Sequence, residues 1–231
     1  KKEYLNTITS LIISYFGLFG ITQNDSNFNT DVLYSFLIVN GAFSGLNHWY
    51  NYKGWSYLDG ITMMLPVTFG NLVIYKFFLN ELSSDKNIEK LFYILYPTSA
   101  YLVLTLDLFA SNFKYIFLGL SLALLGFIPL AIEYKGKYDL DYQKSCIDDI
   151  IANFIKGVLF VSIGAGLWFY SEPKCENKNI DPKIKKKLAN MHLHSAWHIF
   201  SGYGFYLIIY SNDMINTFKN DPNIDNCNKI K

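Results

Sequence analysis

His194 and His198 stand four residues apart in HLHSAWHIFSGYGFYLIIY, residues 192–210. On a helix that spacing stacks two imidazoles on one face, where both can reach one metal ion. A third histidine, His48, closes the run GAFSGLNHWY, with Ser44 one turn before it on the same face. Asp59 follows eleven residues later and is the only acidic residue between Asp31 and Glu81. Three neutral imidazoles with one open position form the ligand set of a catalytic zinc, and a carboxylate and a hydroxyl beside it could hold the bound water. Taken singly, Ser44 is equally at home as a helix-packing serine, His48 as an interfacial residue and Asp59 as a helix-start acid favoured by the dipole. The fourth histidine, His192, does not share the face of the other two.

The elements that must carry these residues follow from composition. Half of the 231 residues are hydrophobic and 18% are aromatic, and the charges gather in short connecting stretches. Apolar segments recur at about Tyr4 to Ile21, Val32 to Tyr50, Trp55 to Leu79, Ile88 to Leu106, Phe113 to Ile132, Ile150 to Tyr170 and Leu188 to Tyr210. Each suits one helical span of roughly 20 residues. Breaks such as TQNDSNFNTD and SEPKCENKNIDPKIKKK supply the polar and Pro residues of loops. A stretch such as YIFLGLSLALLGFIPLAI has no polar face, which fits lipid on several sides better than a water-facing bundle.

The sequence therefore predicts an all-α, seven-transmembrane helix bundle in one domain, residues 1–231, with a flexible C-terminal tail from about 213. Parity then decides where the candidates meet. If the first span leaves the N-terminal face, the end of the second and the starts of the third and seventh share that face. Ser44, His48, Asp59, His194 and His198 would lie at similar depth on one side, forming an intramembrane zinc site near the N-terminal face.

A net charge of +1 without any basic stripe sets nucleic acid aside. Three cysteines, Cys146, Cys175 and Cys227, form no CxxC pair, and an odd count leaves at least one unpaired within the chain. Lysines 185 to 187, after the sixth span, would draw the N-terminal side toward the cytosol.

The pattern Ser-x3-His, an Asp eleven residues further on, and a distant His-x3-His opening the last of seven spans resembles the CREST superfamily of membrane zinc hydrolases and related receptors. Within it the chain is most similar to the alkaline ceramidases. EYLNTITSLIISYFGLFG from Glu3 resembles their Glu-x2-Asn-Thr first-span opening, WFYSEPKCE resembles their Trp-to-Cys-Glu signature, and HSAWHIFSGYGFYL resembles their closing helix. Gly60, Thr62 and Phe205 depart from the family's Glu, Pro and Ser. These departures bear on substrate identity more than on the metal, since all five metal-centre positions are present.

The resemblance implies zinc on His48, His194 and His198, with Ser44 and Asp59 around the zinc-bound water. It implies hydrolysis of ceramide, a membrane lipid, to a sphingoid base and a fatty acid, with the lipid bilayer as setting and no obligate protein partner. It also implies a calcium site whose last ligand is Glu3, the remainder lying upstream of Lys1, and a partner for Cys175 in that same upstream segment. A lumenal or extracellular zinc face is implied, opposite to the lysine reading, and, if the chain is eukaryotic, a place in the endoplasmic reticulum, Golgi or another endomembrane. Two other expectations stand beside it: a receptor of the progestin and adiponectin type, with its N-terminus in the cytosol, and a lipid-remodelling hydrolase that cleaves esters.

Overall fold

The computed structural model describes residues 3–23, 28–50, 52–82, 117–176, 181–183 and 192–222. Among these the long elements are α1 (Tyr4–Gln23), α2 (Phe28–Tyr50), α3 (Lys53–Leu82), α4 (Phe117–Lys135), α5 (Asp141–Glu176) and α6 (Leu193–Asn220). No strand occurs among the described residues. The span expected at residues 88–106 lies outside them.

Four of the helices, α1, α3, α4 and α5, are long and apolar enough to cross a membrane. The described residues are thus all-helical, with four candidate spans among them. α2 and α6 are long enough but carry more polar residues, Asn40, Asn47 and His48 on the one and Asn212, Asp213 and Asn216 on the other.

Two boundaries differ from the sequence expectation. The sixth span, expected from Ile150, begins nine residues earlier as the amphipathic stretch DYQKSCIDD, in which Gln143, Cys146 and Ile147 are buried while Asp141 and Asp149 face out. The tail expected from about 213 is helical through Asn220, because Met214, Ile215 and Phe218 recur at one-turn spacing and are buried in the core.

α1 packs on α2 and α6, α2 on α3, and α5 on α6. Small residues permit the closest approaches. A Cβ on Gly17 would stand 2.6 Å from the Tyr34 carbonyl oxygen across the α1–α2 contact. One on Gly157 would stand 2.7 Å from the Gly204 carbonyl oxygen across α5–α6. Without a water-driven hydrophobic effect between helices in lipid, such close contact carries the association. Aromatic stacking fills the core, with Phe127 and Phe154 at 4.1 Å and Trp168 and Trp197 at 5.4 Å between ring centroids.

At the end away from the histidines, charges close the bundle. Lys219 pairs with Glu81 at 2.6 Å and Lys135 with Asp148 at 2.6 Å. Deeper in, the Thr30 hydroxyl donates to Asp213 Oδ1 at 2.9 Å, tying α2 to α6. Cys146 is disulfide-bonded.

Candidate metal centre

The antiparallel run of α1, α2 and α3 returns the end of α2 to the starts of α1 and α3. A backbone bond from the Glu3 N–H to the His48 carbonyl, 3.3 Å, pins that junction. α6 enters the same end, where His192 precedes it in a left-handed conformation, φ 48°, and is exposed. His194 and His198 then project from the first two turns.

The three rings of His48, His194 and His198 meet with centroids 4.8 to 5.1 Å apart. Their ligand nitrogens all lie within 4.8 Å of one another, so the group could hold a metal ion. A tetrahedral zinc with bonds of about 2.0–2.1 Å would draw them somewhat closer.

The contacts around the rings define which nitrogens face the centre. His48 Nδ1 lies 2.9 Å from Glu3 Oε2, and a carboxylate can only accept, so Nδ1 carries the proton. His48 Nε2, buried and without a hydrogen-bond partner, is left with a lone pair toward the other two rings. His198 Nδ1 lies 3.1 Å from Thr9 Oγ1 and 3.2 Å from Ser10 Oγ. Both hydroxyls have carbonyl acceptors for their single hydrogen, Leu5 O at 2.9 Å and Asn6 O at 2.8 Å. They therefore present lone pairs to Nδ1, and His198 Nε2 is free to ligate. This is the carboxylate- or hydroxyl-supported imidazole that metal sites use to fix tautomer and ring direction.

Glu3 lies before the first helix, and the His48 N–H on its carboxylate holds its pKa down at about 2, against the cost of partial burial. The partner of His48 is thus a full negative charge at any neutral or mildly acidic pH. Asn6 Nδ2 donates to the same Oε2 at 2.7 Å, and its own carbonyl accepts from Ser195 of α6.

Ser44 is buried and lies 3.1 Å from Ser10 Oγ. The Asp59 carboxylate lies beside it. Asn47 Nδ2 donates to Asp59 Oδ2 at 3.0 Å, and Asn40 Nδ2 reaches the Asp59 carbonyl at 3.4 Å and Thr62 Oγ1 at 3.2 Å.

All five residues that the sequence singled out are therefore at one end of the bundle, and Glu3 joins them through His48. Sequence reasoning missed the support that α1 supplies, namely Asn6, Thr9 and Ser10. The available signal was a polar stripe on an apolar helix: Glu3, Asn6 and Ser10 recur at i, i+3 and i+7. Asn47, beside His48, carried no signal beyond its polarity.

The described residues form an all-helical chain with four helices long and apolar enough to cross a membrane, and with His48 and His194 part-buried and His198 buried in a group that could hold a metal ion, which are features of helical membrane proteins of the metal-dependent kind. The ceramidase family model matches residues 2–230, and the chain belongs to that family. No curated protein matches it. Family membership makes the chain a ceramidase-type hydrolase acting on an amide bond, with ceramide as the substrate class.

Proposed function

We propose that the chain is a seven-span, single-domain integral-membrane amidase that uses zinc to hydrolyse ceramide to a sphingoid base and a fatty acid. The observation that carries the reading is the convergence of His48, His194 and His198 with Ser44 and Asp59 in a member of the ceramidase family. The donor set suits zinc: three neutral imidazoles, an orphaned buried Nε2 on His48, and oxygen partners on outer nitrogens. Held there, zinc would supply Lewis acidity to the amide carbonyl and lower the pKa of water toward about 7.

The chain's own residues do the rest. Asp59, held by Asn47, accepts the proton of the attacking water and returns it to the amide nitrogen as the C–N bond breaks. The water oxygen stays on the carbonyl carbon, giving the carboxylic acid, and the nitrogen leaves as the amine of the base. Ser44 orients the water or donates to the developing oxyanion. Glu3 keeps the His48 ring aligned, and it would also be the last ligand of the calcium that the resemblance implies. On this reading the three helix ends at one face would hold the chemistry where a lipid's polar head meets its tail.

The test is fatty-acid release from a labelled ceramide by the purified full-length protein beside His198→Ala, with zinc quantified in both. Loss of zinc together with release is the expected result. Full zinc occupancy in the unaltered protein without release from the amide, but with release from an ester lipid, would replace this reading by the ester-cleaving one.

A further inference from the structure

A carboxylate has two oxygens, and a general base works well only when one of them is aimed at the water and held there. Asp59 stands about two turns inside α3 and is followed by Gly60, the residue type whose backbone a helix holds least firmly apart from proline. Its position therefore needs support from outside α3, and α2 supplies it. Asn40 and Asn47 are seven residues apart, so they lie on one face of α2 about two turns from each other.

The two asparagines grip Asp59 in different ways. Asn47 Nδ2 donates to Asp59 Oδ2 at 3.0 Å. A carboxylate oxygen can only accept, so the nitrogen of the Asn47 amide, and not its oxygen, is the atom that faces it. Asn40 is buried, and its amide nitrogen reaches Thr62 Oγ1 at 3.2 Å and the Asp59 carbonyl oxygen at 3.4 Å. Thr62 Oγ1 accepts from Asn40 and turns its own hydrogen back to the carbonyl of Leu58, at 2.9 Å, or of Asp59, at 3.1 Å. Asp59 is thus tied to α2 twice, by its backbone on one side of Gly60 and by one oxygen of its side chain. An asparagine amide carries no titratable proton, so neither residue takes part in a proton transfer itself. The helix that makes both ties also carries Ser44 and His48, so one rigid element sets the spacing of carboxylate, hydroxyl and imidazole.

We infer that Asn47 and Asn40 are positioning residues that divide the two oxygens of Asp59, with Oδ2 tied to Asn47 and Oδ1 left as the oxygen that takes the proton of the attacking water. The role rests on the amidase reading; the ties themselves rest on the four contacts above. An oxygen that already accepts an N–H bond keeps its negative charge most favourably, so a proton arriving at the carboxylate goes to the other one. The O–H bond of the water breaks toward Oδ1, and the water oxygen bonds to the carbonyl carbon. The same proton later leaves Oδ1 for the nitrogen as the C–N bond breaks. Without Asn47 the carboxylate turns about its last side-chain bond and its oxygens exchange places. Without Asn40 the carboxylate keeps its direct tie and loses only the backbone one, so the effect is smaller.

The test is a double-mutant cycle on the full chain in lipid nanodiscs, read as kcat and KM for fatty-acid release from a labelled ceramide, with zinc quantified in every protein. Asn47→Leu removes the donor at nearly the same volume, and Asn47→Ala removes it with a smaller side chain, so a packing defect in one is not mistaken for the lost bond. The expected result is a fall in kcat of about 10- to 100-fold in both, with KM and zinc content unchanged. Asn40→Leu gives a smaller fall of the same kind. On an Asp59→Asn background the Asn47 variants change the residual rate by less than about twofold, because a residue that acts through Asp59 has nothing left to aim. A loss that multiplies onto Asp59→Asn by its full factor, that accompanies loss of zinc, or that falls on KM alone overturns the positioning role. Unchanged release in both Asn47 variants removes that role and leaves the amidase reading standing. No release of fatty acid by the unaltered, zinc-loaded protein removes the amidase reading and the role with it.

Discussion

The two ends of this bundle use polarity for opposite purposes. Away from the histidines, Asp213 receives the Thr30 hydroxyl, Lys219 meets Glu81 and Lys135 meets Asp148, each contact joining two helices. At the other end His48 Nε2 is buried and has no protein partner, while the nitrogen on the far side of the same ring is held by Glu3. A fold can tolerate an unmet buried nitrogen only at a cost, and that cost is removed when a metal takes the lone pair. The polar groups of the far end join helices; those of the histidine end leave a lone pair that a metal ion could take.

The sharpest way to break that comparison is Asp59→Asn. If Asp59 handles the proton of the attacking water, the variant keeps its metal and its melting temperature while fatty-acid release falls by about 10²- to 10⁴-fold. A fall in stability with little loss of release would move Asp59 into the same structural category as Asp213. Next in size is the pair Thr9→Ala and Ser10→Ala, which strips both oxygens from His198 Nδ1. Supporting groups of this kind contribute about 10- to 100-fold in metal affinity. A competition titration with a chelator measures it, and Thr9→Ser, which restores a hydroxyl, should recover most of the affinity. Unchanged affinity would mean that α1 merely packs against the site.

Much of the site end was legible in the sequence because parity is a strong constraint. Once the apolar runs were taken as helices, the chain could only return His48 to the face where Asp59 and His198 start their helices. The role of α1 was not legible, since a hydroxyl in an apolar helix usually returns its hydrogen to the preceding turn, as Thr9 and Ser10 also do. Only the neighbouring helix shows that their lone pairs have a second use. Helix limits failed for a related reason. Hydropathy marks where a segment turns apolar on all sides, but α5 begins at Asp141 and α6 continues to Asn220 with one buried face and one polar face. The same bias explains why α2 and α6, which carry the three histidines, are the described helices that fall short of a span by apolarity. The helices that carry the histidines are the ones that hydropathy reads least well.

At the opposite end the effects should be thermodynamic and smaller. Thr30→Val keeps the shape of the side chain and removes the hydroxyl that donates to Asp213 Oδ1. Weakening the hydrogen bonding of a buried carboxylate costs about 1–3 kcal/mol. A lower melting temperature with unchanged metal affinity is expected. If metal affinity fell as well, the two ends would be coupled through α2 and α6, and the division drawn above would fail.

Lys219→Ala is the smallest and the most discriminating of these changes. Its partner Glu81 lies 2.6 Å away, but the lysine side chain is 45% exposed, and the ammonium also sits 5.8 Å from the centre of the Phe77 ring. Exposed pairs of this type contribute about 0–1 kcal/mol, and screening by salt lowers that further. The variant should therefore lose a fraction of that range in low salt and nearly nothing in high salt, with metal and activity untouched. A larger loss that persists in high salt would show that Lys219 stabilises through its stem against Phe77 rather than through its charge. The far end would then be held by packing, with its ion pairs incidental.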